Sequence, residues 1–258
     1  MNDTLKLDIQ GHTAIVTMDN PAANTWTRES LIYLPKLIDG LNNNRDIYSL
    51  VLTGAGGKFF CAGADLTMFA DGDKGNAALL SQLFGAAFAA LGRFRGVSIA
   101  AINGWAMGGG LEAALACDIR IAEQQVTMAL PEASVGLLPC GHGTQLLPRL
   151  VGEGWAKRMI LCGERLGAEQ ALAIGLVEEI VATGNALATA LQLAGRVEKQ
   201  SPGSVAVCKT LIEASRNQPL HGALALEREA FVGLFDSEDQ REGVNAFLQK
   251  RPPQWKNA

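Results

Sequence analysis

The sequence predicts an α/β core followed by a helical C-terminal lobe. Three observations carry that prediction. Short apolar runs of strand length alternate with longer runs of helical period as far as residue 181. Two of the strand-like runs lead directly into glycine-rich turns and then into helix starts. Beyond residue 185 only helical patterns remain. The expected division is an α/β core over residues 1–195 and a helical lobe over residues 196–258.

Residues 5–9 and 14–18 alternate around Gln10-Gly11-His12, the pattern of a β-hairpin, and Asp19-Asn20-Pro21 closes it. Residues 27–41 place Leu31, Leu34, Ile38 and Leu41 on one side of a helix. Pro35 inside that run predicts a kink or a break, because proline lacks the N–H and its ring crowds the preceding turn. Residues 49–53 read as a buried strand. A turn of small residues from Gly54 follows, with a short helical start at Asp65. Residues 76–94 form a long helix, whose most apolar part, residues 77–91, is interrupted by Ser81, Gln82 and Gly85 and is too short to span a bilayer.

Residues 98–102 are a second buried strand. After the turn pair Asn103-Gly104 come Gly108-Gly109-Gly110 and a helix from Leu111 to Ala116. Residues 119–122 and 126–130 are short strands, 152–162 and 168–174 are helices, and 176–181 is the last strand. The remaining helices start near Asn185, Ser201, Pro219 and Ser237. No repeat period marks a solenoid.

At 258 residues the chain is long enough for a substantial core, and 48% hydrophobic with 19% charged residues is a globular composition. A net charge of −4 argues against a nucleic-acid surface. The five cysteines are odd in number and widely spread, with no metal-ligand spacing, so they read as reduced thiols of a cytoplasmic protein. No signal core or arginine-rich presequence stands at the N-terminus.

The chemistry concentrates in two places. A strand, a bare glycine turn and a helix N-terminus bring free backbone N–H groups to one spot, where negative charge is favoured. The turn before Asp65 repeats that logic, so two such turns stacked in one core can offer their N–H groups to a single oxygen. Glu112 is the only formally charged residue between Arg95 and Asp118, and no charge occurs from Ala133 to Pro148 beyond Glu132. Carboxylates in such apolar surroundings are costly to bury unless paired, hydrogen-bonded or protonated. If the two approach each other, one of the pair must titrate high, which suits general acid–base work. The glycines match neither a dinucleotide fingerprint nor a P-loop, and there is no nucleophile elbow. Cys140 and His142 raise the alternative of a thiol–base pair, but residues two apart in a loop seldom align that way.

Several segments together resemble the enoyl-CoA hydratase/isomerase (crotonase) superfamily. They are Phe60-Cys61-Ala62-Gly63-Ala64-Asp65-Leu66, residues 101–112 through Gly108-Gly109-Gly110-Leu111-Glu112, Cys117-Asp118-Ile119-Arg120, Pro131-Glu132, Gly136-Leu137-Leu138-Pro139, Gly143-Thr144-Gln145, and the last helix with Lys250. The resemblance implies a spiral of ββα turns, a homotrimer or a dimer of trimers, and acyl-CoA thioester substrates. It implies no metal or redox cofactor, coenzyme A entering only as part of the substrate, and neither a nucleic-acid nor a membrane partner. It implies that the N–H groups of Ala64 and Gly109 hold the thioester oxygen. Ala62, Gly63, Ala64, Asp65, Leu66, Gly108 and Gly109 would line the substrate path. By the same likeness Glu112 activates water for attack on C3 and Glu132 supplies the proton at C2. Lys250, with Phe247, would reach coenzyme A on a neighbouring subunit. The sequence departs from the family pattern after Pro139, where many members have Gly-Ala-Gly-Gly and this chain has Cys140-Gly141-His142-Gly143. Cys140 and His142 are therefore expected to reshape the acyl pocket, leaving branched, polar or carboxylated acyl groups open. Hydration is the leading expectation. Double-bond isomerisation, a thiol hydrolase built on Cys140 and an RNA-binding role are the rivals.

Overall fold

The computed structural model describes residues 3–257, so Met1, Asn2 and Ala258, at the ends of the two expected domains, lie outside the described residues. β1 (Leu5–Gln10) and β2 (Thr13–Met18) form the expected antiparallel hairpin. α1 (Arg28–Asn43) starts at Thr27, whose side chain accepts from the Ser30 N–H while Ser30 returns the bond. It continues unbroken past Pro35, against expectation. The reason lies in packing: Leu31, Leu34, Ile38 and Leu41 are buried, and each buried leucine is worth about 1.5–3 kcal/mol, which offsets the lost hydrogen bond.

Three strand–strand–helix turns follow. The first is β3 (Ser49–Gly54), β4 (Phe59–Cys61) and α2 (Lys74–Gly92). The second is β5 (Val97–Ile102), β6 (Trp105–Met107) and α3 (Gly109–Ala116). The third is β7 (Ile119–Glu123), β8 (Thr127–Ala129) and α4 (Gly143–Leu161). The first strand of each turn joins one sheet and the second joins another, which is the ββα winding the resemblance implies. β9 (Leu166–Gly167), α5 (Ala168–Ala173) and β10 (Glu179–Val181) complete the two sheets. Their orders are β1-β2-β3-β5-β7-β10 and β4-β6-β8-β9. Pairing from β2 to β10 in the large sheet is parallel, so its central strands are buried on both faces.

Two helices differ from expectation. The segment expected to start at Gly152 starts at Gly143, and Gly152 is a kink within it at φ 78°. Pro148 and the absence of charge before it conceal the first half in sequence. α2 lies two residues earlier than the expected 76–94, and as a whole it is long and apolar enough by length and composition to cross a membrane, although its apolar part, residues 77–91, reads as too short. It nevertheless buries Phe84, Phe88 and Leu91 in the main core. The last strand is also shorter than residues 176–181.

α6 (Ala186–Val197) lays Ala186, Ala190 and Ala194 on Val51, Ile99 and Ile121 of the large sheet. α7 (Pro202–Ala214), α8 (Leu220–Gly233) and α9 (Glu238–Leu248) follow, capped at Ser201, Pro219 and Ser237 as the sequence indicates. Lys209 of α7 reaches back to Phe94 O, Gly96 O and Asp118 Oδ2. His12 lies in the hairpin turn, stacked on Tyr48, and His221 is exposed on α8.

Candidate active site

The glycine turn before α3 and the turn after β4 come together. Gly63 (φ 98°) packs so closely on the second turn that a β-carbon there would stand 2.9 Å from Met107 O and 3.5 Å from Gly109 N. Only glycine permits that approach. Trp26 ties the two turns. Its N–H donates to Gly63 O at 2.8 Å and its carbonyl accepts from Asp65 N at 3.0 Å. Its indole Nε1 donates to Gly109 O at 3.1 Å. This pairing passes over Ala64, whose N–H is left out of the bridge. Gly109 is the first residue of α3, so its N–H has no intrahelical acceptor. Among the described residues neither the Ala64 nor the Gly109 N–H donates a hydrogen bond.

Both residues line a cavity of about 600 Å³. Ala62, Gly63, Leu66, Gly108, Glu112, Glu132 and Cys140 line it as well. Its other walls are mostly apolar, including Phe69, Ala77, Phe84, Val135, Leu137 and Leu138, with Ser81 and Ser134 among them. No lysine, arginine or histidine side chain lines it among the described residues.

Glu112 sits in the first turn of α3 and is 2% exposed. Its Oε1 accepts from Gly141 N at 2.8 Å and from Gly143 N at 2.7 Å. The residue between them, His142, is left-handed at φ 81°, and that turn of the chain aims two amides at one oxygen. Burial pushes the Glu112 carboxyl up to about 7; the neighbouring Glu132 adds to the rise and the two amides oppose it.

Glu132 opens a single 3₁₀ turn, Glu132–Val135, after β8. Its Oε2 is buried and accepts no hydrogen bond among the described residues. Its Oε1 lies over Gly108, where a β-carbon would stand 3.1 Å away. Burial raises this carboxyl to about 7 as well. Cys140 borders both acids. Burial first, then Glu112 and Glu132, push its thiol up to about 11, so it stays protonated near neutrality.

Three expected site residues lie elsewhere. Asp65 does not line the cavity; its carboxylate caps the following turn, accepting from Thr67 N and Thr67 Oγ1. The His142 ring does not line it either: it faces α2, where a β-carbon on Gly85 would stand 3.7 Å from Nε2. Lys250 is exposed after α9 at φ 55° and does not line the cavity of its own subunit; the expectation for it concerns a neighbouring subunit. Trp26 was not legible in sequence, since nothing in its neighbourhood distinguishes it from an ordinary core tryptophan. Among the described residues no group of three or more His, Cys, Asp or Glu side chains is placed to hold a metal ion.

A family model described as enoyl-CoA hydratase/isomerase matches residues 8–258. The chain is 36% identical to a short-chain-enoyl-CoA hydratase of Clostridium acetobutylicum, over 95% of this chain and 94% of that one. It is 38% identical to the 2,3-dehydroadipyl-CoA hydratase of Escherichia coli, over 96% of each. Among solved structures it is similar to Pseudomonas aeruginosa DspI, with 62% identity, a TM-score of 0.97 and coverage of 99% of this chain and 97% of that one.

Proposed function

Because the chain belongs to the enoyl-CoA hydratase/isomerase family, we propose that it adds water to a 2-enoyl-CoA thioester to give 3-hydroxyacyl-CoA. The observation that carries this reading is two buried carboxylates, Glu112 and Glu132, sharing one cavity with two unused amides, Ala64 and Gly109.

The chemistry divides among them by environment. The thioester oxygen takes the N–H groups of Ala64 and Gly109, which stabilise the enolate charge; one such donor is worth roughly 3–4 kcal/mol in the transition state. Glu112 receives two N–H donors, which favour its carboxylate, and Glu132 receives none at its buried oxygen; with both carboxyls pushed up to about 7, the pair can hold one ionised and one protonated member near neutrality. Ionised Glu112 takes a proton from water as the water oxygen bonds to C3. The C2–C3 π pair moves into the enolate, which collapses by taking a proton at C2 from neutral Glu132. Each proton transfer contributes about 10²–10⁴ in rate. The step draws on no metal or redox cofactor.

The acyl group of this reading is an uncharged hydrocarbon. A carboxylated chain would meet two glutamates and no cation on the cavity walls. We assign the C-terminal lobe to assembly as a homotrimer or dimer of trimers. Leu220, Phe231, Leu248 and Phe247 expose 62–83% of their surface there, more apolar area than an isolated subunit ordinarily leaves to water.

The test is product analysis with crotonyl-CoA and a straight-chain 3-enoyl-CoA in parallel. Hydration predicts 3-hydroxyacyl-CoA from the first. Shift of the 3-enoyl double bond without hydration of crotonyl-CoA would instead favour isomerisation, for which the unpartnered Glu132 Oε2 is a suitable proton carrier.

A further inference from the structure

A second cavity, of about 290 Å³, lies behind the catalytic helices, and its charges do not cancel. Its walls come from the end of α3 (Leu115, Cys117), the start of β7, the first half of α4 (Leu146, Arg149, Leu150) and Arg216 just past α7. Asp118 and Arg120 also face it. Two of the charged groups are already matched. Arg120 gives Nε to Leu176 O, Nη1 to Cys117 O and Nη2 to Glu178. Asp118 Oδ2 accepts from Ser98 N, Ser98 Oγ and Lys209 Nζ. The other two are not matched by any acid. Arg149 spends one N–H on Gln145 O of its own helix, and the Arg216 guanidinium has no hydrogen-bond or ion-pair partner among the described residues, its main-chain N–H alone bonding Glu213 O. Two guanidinium charges therefore remain on the wall of one small cavity, in a chain whose net charge is −4.

We propose that this cavity is a binding site for a compact, doubly charged oxyanion of phosphate type. With one Arg149 N–H spent on Gln145 O, the two guanidinium groups still offer up to nine N–H donors in planar forks, the donor geometry that suits phosphate oxygens. Leu146 and Leu150 form an apolar wall beside the two arginines, which are exposed and so open to an anion from solvent. The position gives the site a route to the active centre. α3 carries Glu112 in its first turn and reaches the second cavity at its end. α4 supplies the Gly143 amide to Glu112 at its first residue and Arg149 to the cavity wall. An anion bound there draws Arg149 of α4 and Arg216 of the C-terminal lobe together against the end of α3, and so stiffens the pair of helices that hold Glu112.

The test uses the intact oligomer. Inorganic phosphate is titrated by calorimetry, with potassium chloride at matched ionic strength as the control for screening. The wild-type chain is expected to bind one phosphate per subunit, and R149A/R216A to weaken that binding at least tenfold while keeping its far-UV circular dichroism and its turnover without phosphate. The conservative variant R149K/R216K retains the charge and loses the forks, so it is expected to fall between the two. Adenosine 3′,5′-bisphosphate serves as the second probe: binding that depends on Arg149 and Arg216 identifies a phosphorylated nucleotide as an alternative source of the same group. The proposal is overturned if neither probe binds, if phosphate binds R149A/R216A as it binds wild type, or if chloride reproduces its effect. None of these outcomes depends on which acyl-CoA reaction the first cavity performs.

Discussion

The indole Nε1 of Trp26 donates to the carbonyl oxygen of Gly109 at 3.1 Å, while the Trp26 main chain grips residues 63 and 65. One buried residue thus holds both turns whose free amides face the cavity, the first by its main chain and the second by its indole. A hydrogen bond of this kind contributes about 1 kcal/mol. Trp26→Phe keeps most of the bulk and loses the donor. Its kcat is expected to fall roughly tenfold with little change in KM, because the amides would act mainly on the transition state. Steady-state kinetics on the preferred enoyl-CoA reads this directly. An unchanged kcat would remove Trp26 from any positioning role.

Glu112→Gln retains an oxygen for the two amides of Gly141 and Gly143 but cannot take a proton from water. It is expected to lower kcat by about 10²–10⁴ while acyl-CoA still binds. Glu132→Gln is expected to lower kcat over the same range. Comparing turnover with equilibrium binding of a saturated acyl-CoA separates lost chemistry from lost affinity.

Stability should carry the opposite sign. Both carboxyls titrate near 7 in the folded chain, above their ordinary value of 4.5. Between those limits the folded state binds more protons than the unfolded state, so stability falls as pH rises through this window. The loss is complete above about pH 7 and absent below about pH 4.5. Glu112→Gln is therefore expected to be more stable than wild type at pH 8, by about 1–3 kcal/mol, with the gap closing towards pH 5. Urea unfolding at both pH values and fixed protein concentration measures it; a gap that widens as pH falls would contradict the assignment.

The rate profile follows from the same pair. Hydration needs one carboxyl ionised and the other protonated, so kcat/KM is expected to be bell-shaped with its limbs on either side of about pH 7. Each Gln variant should flatten one limb. A profile that rises steadily to pH 10 would point to a different base.

Much of this was legible in the sequence, for identifiable reasons. Glu112 and Glu132 stood out because each is a lone charge in an apolar stretch, and the structure places both on one cavity. The C-terminal helix starts were readable because Ser201 and Ser237 are side-chain caps. What failed was long-range. Nothing local to Pro35 announces the packing that carries α1 through it. His142 and Asp65 sit inside recognisable motifs, yet their side chains turn to α2 and to Thr67. Trp26 acts through partners 37 and 83 residues away, Gly63 and Gly109, which no sequence period connects.

Lys209 ties the C-terminal lobe to the core, beside Arg45 and Arg95, which both bond Asn257. Lys209 Nζ donates to two carbonyls and to Asp118, with its side chain only 12% exposed. Lys209→Met leaves Asp118 with its Ser98 bonds but no counter-charge. A loss of about 2–3 kcal/mol is expected in urea unfolding, less than for a fully buried pair because Asp118 keeps some solvent contact. A loss below about 0.5 kcal/mol would show that Lys209 does not help to dock the lobe.

The most direct measurement is turnover of crotonyl-CoA in ¹⁸O-labelled water, followed by mass spectrometry of the thioester product. Water addition by the Glu112–Glu132 pair predicts 3-hydroxyacyl-CoA carrying one labelled oxygen at C3 from the wild-type chain, and a rate at least a hundredfold lower from Glu112→Gln. Label in a released carboxylate together with free coenzyme A, or a Glu112→Gln variant as fast as wild type, would contradict it.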